Sequence, residues 1–300
     1  MTTTDARRVA LALAIVATLS LAACGGRVAN QPASASKPQR IISLSPSATE
    51  ILYGVGAFSR VVAVSDYDDY PPEVKNLPRI GGWQNTNLEQ VVSLKPDLVV
   101  LTQAQEKLIK DKLDALGLRT VVAPDRSLAD ALASITLIGD AVGEPEAARR
   151  LRGETQGRLD EVRARAFPLP RPRVLCIVDR VPGTLRGLYA ATDGSFIDQL
   201  VELAGGDSVA PHSEIGFGQI SKEAVATLDP DVIIDMMQRT DGSALAEDPK
   251  QVWGELSQVK AVRDGRVYHL RDAAAIHPSQ RVADAAREFA ELIHPEAFKQ

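Results

Sequence analysis

Residues 87–101 read Asn-Leu-Glu-Gln-Val-Val-Ser-Leu-Lys-Pro-Asp-Leu-Val-Val-Leu, and residues 221–235 read Ser-Lys-Glu-Ala-Val-Ala-Thr-Leu-Asp-Pro-Asp-Val-Ile-Ile-Asp. The two stretches align without a gap, and Glu, Val, Leu, Pro and Asp coincide in position. Each stretch predicts a helix with an N-cap residue, then a Pro-Asp turn and a buried strand. The chain is therefore expected to contain two similar α/β units.

Each copy of the repeat carries one glutamate at the start of its helix, Glu89 in the first and Glu223 in the second. Either glutamate alone could complete a capping interaction or complement the helix dipole. Because the two glutamates occupy matching points of two similar units, they also indicate a docking surface with two contact points.

Short β-branched runs alternate with helical patterns on both sides of the repeat. This alternation predicts parallel sheets covered by helices, so the fold class is α/β with two Rossmann-like lobes. The predicted strands are Arg40–Leu44, Val61–Ser65, Asp97–Leu101, Arg119–Pro124, Arg173–Asp179, Asp231–Met236 and Arg266–Leu270. The predicted helices are Ser47–Val55, Asn87–Leu94, Gln103–Leu116, Ser127–Val142, Ser195–Ala204, Ser221–Leu228 and Pro278–His294.

A charged stretch without internal proline runs from Pro145 to Phe167. Proline suits the first turn of a helix, and Pro168 ends it. About 23 residues at 1.5 Å each give a helix of roughly 35 Å, about the width of a domain. We therefore expect an exposed connecting helix over residues 145–168, between an N-terminal lobe of residues 40–144 and a C-terminal lobe of residues 169–300.

The N-terminus has the composition of an export signal. Arg7 and Arg8 precede an apolar run that ends at Ala23 and is too short to span a bilayer comfortably as a mature helix. The Leu-Ala-Ala-Cys-Gly of residues 21–25 resembles the lipobox of bacterial lipoproteins, in which the cysteine is acylated and the leader is cleaved before it.

The lipobox resemblance implies a signal peptide over residues 1–23, then a lipidated Cys24 with a flexible tether over residues 24–39. The mature protein would then lie outside the cytoplasm in the cell envelope, held to a membrane by lipid and facing the periplasm or the cell exterior. A plain secretory signal with a chance cysteine is the alternative.

Composition narrows the class of function. The formal charge is −5 and the sequence contains no basic stripe, so the charge pattern does not favour a nucleic-acid-binding protein. The sequence lacks GxxxxGK[ST], GxGxxG after a strand, GxSxG and HExxH, and its histidines are scattered singly, so we expect neither an enzyme nor a metal site or cofactor. Once Cys24 serves as the anchor, Cys176 is expected to be a buried small apolar residue.

A few residues invite other interpretations. Ser45 and Ser47 lie close to Glu50, but no histidine is near them in sequence, and Ser47 with Glu50 three residues later predicts a capping box rather than a hydrolase site. His212 and His277 fall in predicted loops of the second unit and could face a cleft.

Aromatic residues make up only 4% of the chain, yet several fall in predicted loops. Ligands of open α/β sheets bind beyond the carboxyl ends of the strands. Loops in those places contain Pro46, Tyr67, Trp83 with its neighbour Gln84, and Phe217. Adjacent glycines suit close approach to another surface, so these residues predict an apolar clamp for a large, flat ligand.

Three segments carry a family resemblance: Arg40-Ile-Ile-Ser-Leu-Ser-Pro-Ser-Ala-Thr-Glu50, Ser65-Asp-Tyr-Asp-Asp-Tyr-Pro-Pro72 and Gly82-Trp-Gln-Asn-Thr-Asn-Leu-Glu89. They resemble the cobalamin-binding proteins of ABC importers. More broadly, the chain is similar to the helical-backbone (class III) substrate-binding proteins, which also serve ferric siderophores and haem. That family has two α/β lobes joined by one long helix, with the ligand in the cleft between them.

The resemblance implies a role for each candidate residue. Pro46, Tyr67 and Trp83 match corrinoid contacts of the first lobe, and Phe217 stands where cobalamin binders often carry Trp. The two repeat glutamates match those that dock onto the permease dimer of the importer, which works with an ATPase. A small-molecule ligand, a permease and a lipid-anchored membrane position are thus the implied partners.

The second lobe departs from the family pattern. The loop Arg271–Pro278 lacks the aromatic and charged contacts of some relatives, and Ala204 replaces a disulfide cysteine found in others. In the segment 180–192, Arg186 and Tyr189 are candidate contacts. A ferric siderophore or haem is therefore the alternative ligand, and an extracytoplasmic esterase or a structural lipoprotein is the alternative class.

Overall fold

The computed structural model describes residues 37–237, 248–270 and 277–298. The described elements belong to one compact unit. The predicted signal peptide, Cys24 and most of the predicted tether lie outside the described residues, as do residues 271–276 of the divergent loop. Among the helices in the described ranges, none combines the length and the apolar character needed to cross a membrane.

In the first lobe, parallel strands alternate with helices, as the sequence predicts. The described elements follow in the order β1 (Ile41–Ser43), α1 (Pro46–Gly54), β2 (Val61–Ala63), α2 (Leu88–Ser93), β3 (Leu98–Thr102), α3 (Gln103–Ala115), β4 (Thr120–Ala123) and α4 (Leu128–Ala141), with 3-10 turns at Phe58–Arg60 and Pro72–Asn76. The strands lie in the order β2-β1-β3-β4, and all their pairings are parallel. Ile41 of β1 pairs with Val61 on one side and Leu98 on the other.

The predicted connecting helix is α5 (Pro145–Ala166), with its proline in the first turn. Along one side it buries Ala148, Thr155, Leu159, Val162 and Ala166. It packs against α4 so closely that a Cβ atom on Gly139 would clash with the Cβ of Ala148. Glycine at that position is therefore a requirement of the helix contact.

The second lobe has a mixed sheet, although the sequence predicts a parallel one. The described elements are β5 (Arg173–Asp179), β6 (Tyr189–Ala191), α6 (Phe196–Leu203), β7 (Asp207–Ser208), β8 (Phe217–Gln219), α7 (Lys222–Leu228), β9 (Val232–Asp235), α8 (Pro249–Trp253), α9 (Lys260–Arg263), β10 (Val267–His269), α10 (Val282–Ile293) and α11 (Pro295–Phe298), with a 3-10 turn at Gly254–Leu256. Strands β10, β9, β5 and β7 pair in parallel, whereas β6 is antiparallel to both β5 and β8. Strands as short as β6 and β8 carry too few residues to show a periodic pattern. Phe217, predicted to lie in a loop, is in fact the first residue of β8.

The sequence repeat extends to the backbone conformation. Asn87 and Ser221 cap α2 and α7, each by accepting a hydrogen bond from a backbone N–H of the first turn. After these helices, Lys95 and Asp229 both adopt the left-handed region, with φ of 48° and 41°. Because both copies use the same turn, each strand leaves its helix in the same way, and the two glutamates occupy equivalent positions.

Candidate functional site

Three of the predicted ligand loops meet at one edge of the first sheet. Strands β1, β2 and β3 are parallel, so their carboxyl ends lie at the same edge, where ligands bind in open α/β sheets. Val64 forms a parallel bridge with Arg79, and the Asp66 N–H donates to the Gly81 carbonyl at 3.1 Å. These contacts place the loop that contains Trp83 beside the loop that contains Tyr67.

Tyr67 and Trp83 have exposed rings that lie beside the turn at Gly82. A Cβ atom on Gly82 would lie 2.9 Å from Cε2 and from the hydroxyl oxygen of Tyr67, so the ring rests directly on the glycine. The Gly82 N–H donates to Asn85 Oδ1 at 2.9 Å, and the Thr86 hydroxyl donates to the Gly82 carbonyl at 3.1 Å. Tyr67 is 58% exposed and Trp83 48%, which makes them an accessible apolar surface.

Pro46 and Gln84 complete the predicted first-lobe set. Pro46 is the first residue of α1 and is half-buried, directly after the N-cap residue Ser45. Gln84 is exposed in the same loop as Trp83. The rigid proline ring at a helix N-terminus gives the first lobe a second fixed apolar point.

In the second lobe, Phe217 stacks on Tyr189. The ring centroids are 6.4 Å apart and the planes differ by 11°. Phe217 pairs with Ala191 in the ladder between β6 and β8, so Tyr189 is its diagonal neighbour across the strands. Both rings are half-buried, and Tyr189, which sequence reasoning named only as a candidate contact, belongs with Phe217.

Two exposed aliphatic residues that were not predicted from the sequence lie in the segments beside this pair. Val181 follows β5 and is 48% exposed, and Ile215 precedes β8 and is 66% exposed. The Gly216 carbonyl accepts from the Thr192 N–H at 2.9 Å, which fixes the Ile215 segment beside the end of β6. Large aliphatic side chains in predicted loops were the signal that could have indicated them.

Glu50 was predicted to complete a capping box with Ser47, and that prediction is wrong. The N-cap of α1 is Ser45, so a capping-box glutamate would stand at residue 48, two positions before Glu50. The Glu50 carboxylate is fully buried and points to the second lobe instead. There it meets Nδ1 of His277 at 3.0 Å, the Ser279 hydroxyl, and Nη1 of Arg281 at 3.4 Å.

His277 accordingly contacts the first lobe through Glu50. Burial acts to lower the pKa of His277, but its hydrogen bond to Glu50 and the negative charges of Glu50, Asp69 and Asp68 raise it on balance. A histidine held in this way stays protonated to higher pH than an exposed one. His212, the other histidine predicted to face a cleft, is exposed, with Nδ1 2.7 Å from the Asp193 carboxylate.

The loop that carries Tyr67 is anchored by Asp68. Its Oδ2 accepts hydrogen bonds from the backbone N–H and the hydroxyl of Ser65, while the Asp68 carbonyl accepts from Nη1 of Arg79 at 2.7 Å. Burial raises the pKa of Asp68 from 3.8 to about 6, although the Ser65 hydrogen bonds act in the opposite direction. Above about pH 6 the loop therefore holds a buried, ionised carboxylate, and burial disfavours that charged form.

Asp68→Asn is expected to stabilise the protein at neutral pH. Because the folded-state pKa is raised, protonated Asp68 contributes fully to the free energy of unfolding of the wild type below pH 3.8. That contribution is lost as pH rises through about 6. The stability gain of the variant over wild type should increase by about 2 kcal/mol between about pH 4.5 and pH 7.5 in urea titrations. Asp66→Asn, at an exposed neighbouring position, is the control and should show no such trend. Parallel pH profiles for wild type and Asp68→Asn would contradict the assignment.

Glu89 and Glu223 are exposed at the second helical position of α2 and α7. A capping box needs its acidic residue one position later, so a reciprocal cap does not account for either glutamate. Hydrogen bonds from its own backbone N–H and from the Ser221 hydroxyl lower the pKa of Glu223, which keeps it ionised. Each lobe thus presents a negative charge at the same point of its repeat.

The described residues offer little reactive chemistry. Within residues 37–237, 248–270 and 277–298, no three or more His, Cys, Asp or Glu side chains are grouped so that they could hold a metal ion. Cys176 is buried, as predicted, and burial raises the pKa of its thiol. A protonated, inaccessible thiol is a packing residue.

The chain is similar in sequence to known binding proteins. The family model described as "periplasmic binding protein" matches residues 41–274. The "uncharacterized ABC transporter substrate-binding lipoprotein YvrC" of Bacillus subtilis is 30% identical over 88% of this chain and 82% of its own length. The vitamin B12-binding protein of Pectobacterium atrosepticum is 31% identical over 66% of this chain and 71% of its own length.

Solved structures of proteins named for different ligands have the same fold. The periplasmic vitamin B12-binding protein BtuF of Vibrio cholerae superposes with a TM-score of 0.74 at 26% identity, covering 88% of this chain and 99% of that protein. A periplasmic haem-binding protein from Pseudomonas aeruginosa superposes with the same TM-score at 25% identity, covering 86% and 94%. The fold therefore leaves the choice of ligand to the residues of the cleft.

Proposed function

The chain belongs to the periplasmic binding protein family and is a substrate-binding protein of an ABC transporter, and we propose that its substrate is cobalamin or a related corrinoid. In this proposal the ligand is captured in the cleft between the lobes and delivered to the permease dimer, whose ATPase drives import. The family and the fold are those of substrate-binding proteins, not of enzymes.

The observation that carries the corrinoid proposal is the exposed pair Tyr67 and Trp83, whose rings stand on the hydrogen-bonded turn at Gly82. Together with Pro46 they offer a preformed apolar wall, to which Phe217 and Tyr189 add stacked rings from the other lobe. A corrin ring is large and flat, and rigid aromatic surfaces bind such ligands at low cost in conformational entropy. The vitamin B12-binding relatives support the same ligand.

We also propose that the protein is a lipoprotein, cleaved before Cys24 and held at the membrane by that residue. The support is the Leu-Ala-Ala-Cys-Gly sequence after an apolar run, together with the lipoprotein named among the relatives. A polar, Gly/Ala/Ser/Pro-rich tether of about 15 residues would let the lobes reach a permease in the same membrane.

Titration of the purified protein with cyanocobalamin, haem and a ferric siderophore tests the proposal. Cyanocobalamin is expected to bind at micromolar concentration or below, and Trp83→Ala should weaken binding by about 10- to 100-fold because it removes a central aromatic anchor. Phe167→Ala is the matched control, since Phe167 is an exposed aromatic residue at the end of α5, away from the cleft loops. Its affinity should equal that of wild type.

Haem is the second candidate ligand, favoured by the haem-binding structural neighbour and by the exposed Tyr67, because tyrosine is one of the residues that bind haem iron. Tight haem binding that is lost in Tyr67→Phe, with no cyanocobalamin binding at micromolar concentration, would replace the corrinoid proposal. Binding of the ferric siderophore alone would replace both.

A further inference from the structure

The contacts of Glu50 join the lobes at a buried point. Besides the three groups that meet its carboxylate, the Glu50 carbonyl accepts a hydrogen bond from Nε2 of Gln280 at 2.8 Å. All four partners lie in the segment 277–281, which leads into α10. We refer to Glu50 with this segment as the Glu50 junction.

The second-lobe segment of the Glu50 junction contacts two first-lobe elements that carry candidate ligand contacts. Glu50 lies on α1, the helix that begins at Pro46. The guanidinium of Arg281 lies over the ring of Tyr70, 4.3 Å from its centroid, and Tyr70 belongs to the loop that carries Tyr67. One second-lobe segment therefore contacts both the helix and the loop that form the first-lobe wall.

A different kind of contact joins the lobes elsewhere. The Leu128 N–H, at the start of α4, donates to Oε1 of Gln199 on α6 at 2.9 Å, and Leu128 packs in the hydrophobic core of the second lobe with Phe196. That contact combines a neutral hydrogen bond with apolar packing and involves no ion pair. A buried carboxylate is different, because separating it from its partners leaves an ion in a medium that solvates it poorly.

We propose that Glu50 is a positioning residue of the ligand cleft, which fixes the first-lobe wall relative to the second lobe and so sets ligand affinity without touching the ligand. Its carboxylate is fully buried and faces the junction, so its effect passes through α1 and the Tyr67 loop. The ligand readout rests on the proposed function, whereas the geometry of the lobes does not.

The charges around His277 add a pH signature. His277 faces Glu50, Asp68 and Asp69 from the first lobe, and Arg281 shares the Glu50 carboxylate. Because its pKa is raised, protonated His277 contributes fully to the stability of the folded protein below pH 6.5. That contribution is lost as pH rises through the folded-state pKa. The junction should therefore loosen as the solution becomes more alkaline.

The test compares Glu50→Gln with Glu144→Gln in the full-length protein. Glu144 accepts from Lys37 and Arg60, so its ion pairs do not involve the second lobe and serve as the control. Spin labels at Lys107→Cys on α3 and Asp264→Cys after α9, both exposed, report the distance between the lobes. Cyanocobalamin affinity is measured on the same variants at about pH 6 and about pH 8.5.

Glu50→Gln is expected to broaden the distance distribution and to weaken cyanocobalamin binding by about tenfold or more, with no effect of Glu144→Gln on either quantity. The distance distribution of the wild type should broaden at the higher pH, and His277→Gln should remove that pH dependence. If Glu50→Gln does not fold, Ser279→Ala removes one donor and should give the same changes in smaller measure.

A Glu50→Gln protein that loses stability but keeps a wild-type distance distribution would overturn the proposal and leave Glu50 a stabilising residue only. The same holds if Glu144→Gln broadens the distribution equally. Failure of wild type to bind cyanocobalamin would count against the corrinoid proposal alone, because the distance measurement needs no ligand.

Discussion

Replacing both Glu89 and Glu223 with alanine is expected to abolish ligand uptake by cells while leaving ligand affinity unchanged. Both carboxylates are exposed on the first turn of a repeated helix, outside the aromatic cleft loops. If each forms a hydrogen-bonded charge pair with a basic residue of the permease that becomes buried on docking, loss of one partner costs about 2–5 kcal/mol. Each substitution then weakens docking by about 30-fold or more. Uptake of labelled cyanocobalamin by cells that lack the wild-type protein measures the effect.

Glu146 and Glu296 provide a matched double control. Both are exposed glutamates that follow a helix-opening proline, at the second position of α5 and of α11, one on the connecting helix and one in the second lobe. Glu146→Ala with Glu296→Ala removes the same net charge and perturbs the same part of a helix, yet uptake should stay at the wild-type level.

Two results would contradict the prediction that Glu89 and Glu223 dock onto the permease. One is normal uptake by the Glu89→Ala, Glu223→Ala protein. The other is an equal loss of uptake in the control, which would assign the effect to net charge. Single variants separate the lobes: if both docking points matter, each should reduce uptake by itself, and the double variant should be the more severe.

The regular part of the fold could be predicted because its information is local. The repeat at residues 87–101 and 221–235 specifies a cap, a helix, a turn and a strand within 15 residues, and the structure reproduces all four in both copies. Even the left-handed residues Lys95 and Asp229 coincide. Strands β6 and β8 escaped prediction because three residues show no period and because antiparallel pairing depends on partners elsewhere in the chain.

The Glu50 junction escaped prediction for a related reason. Its partners lie more than 220 positions away in the chain, and no spacing rule connects residues so distant. The local pattern around Ser47 even favoured a different role for Glu50, since a serine three residues before a glutamate is typical of a cap. Only the packing of the two lobes shows that the carboxylate is buried.

The candidate ligand residues fall between these two cases. The exposure of Tyr67 and Trp83 could be anticipated from the Asp-rich loop around the first and the Gly-rich loop around the second, and the contact of Tyr67 with Gly82 explains why glycine is needed. Sequence alone could not show that Tyr189 stacks on Phe217, because that contact depends on the register between β6 and β8.

The largest loss of stability is expected for Asp235→Ala, at the carboxyl end of β9. Oδ2 of Asp235 accepts from Nε of Arg180 at 2.8 Å and from Nε1 of Trp253 at 2.9 Å, and Oδ1 accepts from the Met237 N–H. The Arg180 and Asp235 side chains are 1% and 0% exposed. Alanine removes the carboxylate and so breaks the buried ion pair together with the hydrogen bonds from Trp253 and Met237, which costs about 3–5 kcal/mol. Urea titration followed by circular dichroism measures the change.

The same substitution should weaken ligand binding under conditions where the variant is still folded, because Arg180 opens the segment that leads to Tyr189. Asp207→Ala is the control: its ion pair with Arg171 is exposed in the same lobe and should be worth about 1 kcal/mol or less. In an Arg180→Met background, Asp235→Ala should cost distinctly less, since the buried ion pair that it breaks in wild type is already absent. An equal cost in both backgrounds would assign the stabilisation to Trp253 and the Met237 N–H rather than to the buried ion pair.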